Sequence, residues 1–255
     1  MQSIDTNTRS SPTLSNRPIP RAITLLAFAV SAWGGAQTAQ ASNSTAASTP
    51  SFGSAANLAV LAGTAVTCTN GTIQGNVGVS PGVLLKQTAC PVTGALHAGD
   101  TVAAQAQRDF STAFDAFKAL TCTKTLTTLA GQTLQSGVYC FDAAATSAGG
   151  VLTLVGSGPF IFKVGTLGTG ALTGTNLSVV TSGGAPPPCG SVFFVVADTV
   201  TLTDSKFVGT VLAGKAITLT RGTFNGDAFA KAAATITGTA VTACALGNGT
   251  PSGGQ

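Results

Sequence analysis

Apolar and hydroxyl-bearing positions alternate along this chain, most regularly from Thr199 to Thr242. Val200-Thr201-Leu202-Thr203 recurs as Ile217-Thr218-Leu219-Thr220 and, after an equal interval, as Ala234-Thr235-Ile236-Thr237. Phe207, Phe224 and Val241 recur at the same interval, as do Gly209 and Gly226, Val211 and Ala228, and Ala213 and Ala230. Within each row the alternation of apolar and polar positions predicts a strand with one buried face. The short fixed period across rows predicts a solenoid, in which each coil stacks on the last. Val200, Leu202 and their counterparts must then point inward. The pairs Thr201/Thr203, Thr218/Thr220 and Thr235/Thr237 should form a flat grid, about 4.7–4.9 Å between strands and roughly 6.5–7 Å between alternate residues.

The same pattern appears once far from its companions. Val66-Thr67-Cys68-Thr69 matches Val200-Thr201-Leu202-Thr203, with Asn70, Ile73, Gly75 and Val77 matching Asp204, Phe207, Gly209 and Val211. If these coils share one stack, the solenoid is discontinuous in sequence. A different period runs from Asp100 or Thr101, either of which can cap a helix. Val102, Ala106, Phe110, Ala113, Phe114, Phe117 and Leu120 follow at helical spacing, opposite Gln105, Arg108, Asp109, Thr112 and Asp115. A single helix among strands, with large Phe side chains on one side, is expected to dock along the solenoid. Further strands are expected at 125–127, 133–134, 137–141, 151–154, 160–162, 172–180 and 191–196.

Composition narrows the function. Charged residues make up 8% of the chain, every acid is an aspartate, and the formal charge is +4. Arg9, Arg17, Arg21 and Asp5 lie in a leader, so the remainder carries only +2. This scatter lacks the clustered Lys/Arg of a nucleic-acid surface. Tyr139 is the only tyrosine and Trp33, in the leader, the only tryptophan, so a groove lined with aromatic platforms for sugars is not expected. For catalysis, the repeat region offers Asp198, Asp204 and Asp227, and His97 is the sole histidine. Turn aspartates in solvent account for the first three better than a paired-carboxylate site does. No enzyme, cofactor or metal is expected.

Arg17 and Arg21 precede an apolar run, Ala22 to Trp33, and then Ala39-Gln40-Ala41. Residues 1–41 thus read as a secretory signal peptide, since a dozen apolar residues fall short of the ~20 of a spanning helix. Residues 42–51 read as a Ser/Thr/Ala linker, 52–247 as the folded domain and 248–255 as a loose tail. Six cysteines follow the leader, which suits disulfides formed after export. Fifteen connectivities are possible; Cys68–Cys90, Cys122–Cys140 and Cys189–Cys244 are expected, the first two as sequence neighbours and the last as a tie between the final coil and the loop entering the repeats.

Gly75-Asn76-Val77-Gly78-Val79-Ser80-Pro81-Gly82, the run HAGDTVAAQAQ from His97 to Gln107, Gly137-Val138-Tyr139-Cys140-Phe141 and Phe207-Val208-Gly209-Thr210-Val211-Leu212-Ala213 together resemble the microbial ice-binding protein family. The resemblance runs from about Phe52 to Leu246. It implies a mainly β, right-handed, discontinuous β-solenoid of roughly triangular section with one long helix alongside. It also implies a secreted or surface-attached protein that adsorbs to an ice crystal through one flat face, with antifreeze or recrystallisation-inhibiting activity. The family's ice face often carries T-(A/G)-x-(T/N) near a coil corner. The matching stretch is Thr220-Arg221-Gly222-Thr223, followed by Asn225; Arg221 departs from the pattern, as does Lys206 in the neighbouring coil. The expected ice-binding residues are Thr201, Thr203, Thr218, Thr220, Thr223, Asn225, Thr235 and Thr237. A monomer is expected, with no nucleic-acid partner and no membrane span after the leader is removed. The alternative is a secreted structural or adhesion solenoid that contacts an extracellular matrix or cell surface, because fold alone does not fix function.

Overall fold

Val200, Ile217 and Ala234 are direct strand neighbours, and so are Thr201, Thr218 and Thr235. The sequence repeat is therefore a stack of parallel rungs in the computed structural model, which describes residues 49–244 and 246. The apolar member of each alternating pair is buried and the threonines stand outward, most of them half-buried between their neighbours. The proposed leader and the 248–255 tail lie outside the described residues.

Three faces follow from the path of one coil. Residues 200–203 form a first face, 205–208 a second and 210–213 a third. Between the first and second faces each coil turns on one left-handed residue. These residues form a column, Gly149, Asn176, Asp204, Arg221, Gly238, Asn70 and Ala89, with φ between 49° and 83°. Gly, Asn and Asp tolerate this conformation best, and they fill five of the seven corners. The next residue in several coils points inward and is small. Ser205 and Thr239 are buried there. Ser205 Oγ donates to Thr203 O at 3.0 Å and accepts from Leu177 N at 3.2 Å; Thr239 Oγ1 lies 3.3 Å from both Thr237 O and Arg221 O.

The stack is discontinuous in a specific way. Strand Ala65–Thr69 pairs beyond Ala234–Thr237, so the N-terminal coil lies directly below the last C-terminal one. That last coil has only two strands of its own, Ala234–Thr237 and Ala240–Thr242. Its third face is filled by Leu58–Ala62, which pairs with Ala228–Ala230 above and Asn76–Val79 below. Sequence patterning shows an apolar run there without giving it a place in the stack. From this splice the chain descends through Leu84–Thr88 and Leu96–Ala98. Helix Thr101–Ala119 then carries it back along the third face to the opposite end. Its 19 residues at 1.5 Å rise give ~28 Å, the height of about six rungs at ~4.8 Å.

Two apolar layers hold this together. The solenoid interior is one, with Phe162 against Phe194 at 4.6 Å and Phe207 against Phe224 at 5.4 Å. The other lies between helix and third face: Phe110, Phe114 and Phe117 pack with Leu61, Phe193, Leu212 and Phe229. Asp100 caps the helix, accepting from Ala103 N at 2.8 Å. Val102, expected in the buried stripe, is 46% exposed and Ala103 is buried in its place. Ala103 packs over Gly78 of the third face, where a Cβ built on the glycine would lie 3.6 Å from its own.

The three disulfides have the expected pairing: Cys68–Cys90, Cys122–Cys140 and Cys189–Cys244. Strand Lys124–Thr125 is shorter than the 125–127 expected, whereas the separate strands at 151–154 and 160–162 belong to one strand, Ala145–Val164.

Candidate ice-binding surface

The first face carries more threonine than the regular repeat alone indicates. Its first column runs Thr146, Thr173, Thr201, Thr218, Thr235, Thr67 and ends at Lys86. The second starts at Ala148 and runs Thr175, Thr203, Thr220, Thr237, Thr69 and Thr88. Twelve threonines thus stand in two columns over seven rungs. Backbone pairing fixes their spacing in both directions. Each β-branched side chain is also stiff at χ1 and packs against its neighbours above and below. The outcome is a level surface of alternating hydroxyls and methyls that does not have to be ordered on contact.

Thr146, Thr173, Thr175, Thr67, Thr69 and Thr88 belong to this ladder although the sequence pattern did not single them out as ice-binding. A signal was present, since Leu172-Thr173-Gly174-Thr175 has the same alternation. The step from Thr173 to Thr201 is, however, longer than the step from Thr201 to Thr218, because a Gly/Pro-rich excursion at 182–191 interrupts that coil.

Thr223 and Asn225 sit elsewhere. The corner at Arg221 turns the chain, so Thr220 belongs to the first face and Thr223 to the second. The eight expected residues therefore divide into six on the threonine ladder and two around the corner. The T-x-x-T stretch at 220–223 spans an edge and does not lie in one plane. On the second face Thr223 stands in the column Ser178, Lys206, Thr223, Ala240, Thr72, and Asn225 in the column Val208, Asn225, Thr242, Gln74. A groove of about 420 Å³ lies over this face, bounded by Val180, Val208, Thr242 and the excursion residue Pro186.

Apart from Lys86 on the end rung, the charged groups beside the ladder stand at its borders. On the corner side, Arg221 donates to Asp204 twice, Nε to Oδ1 at 2.6 Å and Nη2 to Oδ2 at 2.7 Å. Before the opposite edge, Lys215 Nζ meets Asp198 Oδ1 at 2.6 Å. Each partner cation, by its hydrogen bond, holds its aspartate below the usual carboxylate range, and Gly170 N–H adds to this at Asp198. Lys206 projects from the second face, exposed, and is not on the ladder.

The remaining acid considered for catalysis has a structural place. Asp227 is fully buried between the second and third faces. It accepts from Cys244 N at 3.0 Å and lies 3.4 Å from Thr210 Oγ1; burial raises its pKa to about 7. His97 Nδ1 lies 2.7 Å from Asp100 Oδ2 beside the helix cap. No described helix is long and apolar enough to cross a membrane.

Known proteins share this architecture. The model of the Ice-binding-like family matches residues 60–242. An ice-binding protein from Nostoc sp. (strain HG1) is 40% identical over 188 residues, covering 69% of this chain and 66% of that relative, just under two thirds of its length. The crystal structure of an ice-binding protein from the Antarctic ascomycete Antarctomyces psychrotrophicus aligns with a TM-score of 0.67 at 32% identity, over 76% of this chain and 98% of that one. One from an Antarctic biological consortium aligns with a TM-score of 0.70 at 29% identity, over 77% and 91%.

Proposed function

Since the chain belongs to the ice-binding-like family, we propose that it adsorbs to ice through the threonine ladder and thereby restrains crystal growth. The observation that carries this reading is the pair of threonine columns, twelve side chains held in register over seven rungs. Hydroxyls hold water in the troughs, and methyls confine it to cage-like positions. A rigid array meets the crystal without the ordering cost that opposes binding by mobile side chains. The chemistry needs no reacting group, and we read the protein as a non-catalytic monomer. Three disulfides support action outside the cell, after export.

The test is ice-affinity partitioning and thermal hysteresis of the purified protein beside Thr218→Tyr and Thr220→Tyr. The parent should enter the ice fraction, and each tyrosine, standing proud of the plane, should reduce hysteresis several-fold. A parent that stays in the liquid fraction would reject the reading and leave the adhesion role expected of a matrix-facing solenoid.

A further inference from the structure

The left-handed corner column bordering the ladder is Gly149, Asn176, Asp204, Arg221, Gly238, Asn70 and Ala89. Only two of these seven are charged. They are consecutive rungs and bond to each other through two guanidinium nitrogens and both carboxylate oxygens. A bidentate pair of this kind fixes the guanidinium plane as well as its position. Both side chains are well exposed, 60% for Arg221 and 38% for Asp204. Solvent screening limits what so exposed a pair adds to the fold, even with bidentate geometry, and its place beside the ladder points to a second role.

Arg221 follows Thr220 directly, so their Cα atoms are ~3.8 Å apart. The rung below offers no obstacle, because Gly238 has no side chain. A Cβ built there would lie 3.5 Å from Arg221 Cγ. Beside that gap stands Thr237, exposed and part of the ladder's second column. An arginine released at this corner would have room to fold over Thr220 and Thr237. It would bring a permanent charge, and the water that charge orders, onto a surface meant to order water differently. The carboxylate one rung above removes that option.

We propose that Asp204 is a positioning residue for ice adsorption: it holds the Arg221 guanidinium within the corner column and off the threonines. The inference rests on the ladder being the ice-contacting face.

The test compares four full-length proteins, the parent, Asp204→Asn, Arg221→Gln and the double variant, by thermal hysteresis at matched concentration and by thermal unfolding. Asp204→Asn should lose hysteresis several-fold while Tm stays within about 2 °C of the parent. Arg221→Gln should match or exceed the parent, and the double variant should recover the parent's activity. Recovery separates positioning from a structural role, since a carboxylate needed for corner shape would leave the double variant as weak as Asp204→Asn. That result, or an unchanged Asp204→Asn in an active parent, overturns the proposal alone. A parent without hysteresis rejects the ice reading and this proposal with it.

Discussion

The ladder face and the second face are built from the same strands. Val200–Val208 and Ile217–Asn225 each contribute four residues to one, turn at a left-handed corner, and continue into the other. Stacking therefore makes both faces equally regular in backbone. They differ in what the outward positions hold. One face repeats threonine in twelve of fourteen positions; the other mixes Ser178, Lys206, Thr223, Ala240 and Thr72 in a single column, with the 182–191 excursion beside it. The solenoid supplies flatness to any sequence that folds this way. Uniformity of side-chain height and charge must be selected separately, and of these two faces the ladder comes far nearer to it, departing only at Ala148 and Lys86 on its end rungs.

Paired substitutions test this contrast most severely. Thr218→Tyr should remove most thermal hysteresis, whereas Thr223→Tyr, at a comparable outward position around the corner, should leave most of it. Equal losses would show that the corner does not bound the site. The third face gives the next largest effect, on a different readout. Phe117→Ala, in the layer between helix and solenoid, should cost about 3–5 kcal/mol of stability. In the cold the folded fraction should still bind ice, as expected if that face is structural. Denaturant unfolding and ice partitioning of one preparation check both halves.

A smaller effect concerns the junction of the second and third faces. Asp227 has its pKa raised by burial to about 7, so between about pH 4 and 7 the native state holds a proton that the unfolded chain releases. This contribution is complete below the unfolded value near 4 and is lost as pH rises through 7, on the order of 2–4 kcal/mol in all. Asp227→Asn should flatten that slope in urea titrations at pH 4.5 and 7.5; a parent that is more stable at 7.5 than at 4.5 because of this residue would contradict the assignment. The smallest effect is expected from Lys206→Thr. Removing a cation from the second face should leave hysteresis within scatter, and a clear gain would extend the ice site around the corner.

Much of the stack was legible because its signal is local and periodic. Strand alternation, the fixed repeat and the distant match at 66–69 pointed to register and discontinuity directly. The splice at Leu58–Ala62 was not legible. This run is buried throughout and has no outward set to betray a face, and its pairing with Ala228–Ala230, near the other end of the chain, leaves no period. That Thr223 and Asn225 lie around a corner from Thr220 was not legible for a different reason. A corner costs one residue and is invisible to alternation, which carries on through it. A clue was present in Asn70, Asn176, Asp204 and Gly238, residue types that favour left-handed backbone at one recurring position. Arg221, the one long side chain among them, disguised the column.

The splice also has a mechanical consequence. In an ordinary coil stack the first and last segments are the outermost layers, and heat or force peels them away one at a time. Here Leu58–Ala62 is an interior layer, bonded on both edges, and the strand pair that precedes the C-terminal crosslink shares its coil. A load applied to the two tails meets the middle of the molecule, where several rows of backbone bonds must shear together. Among the described residues, unzipping, the cheap route to failure for a repetitive protein, has no terminal coil on an outer rung at which to begin.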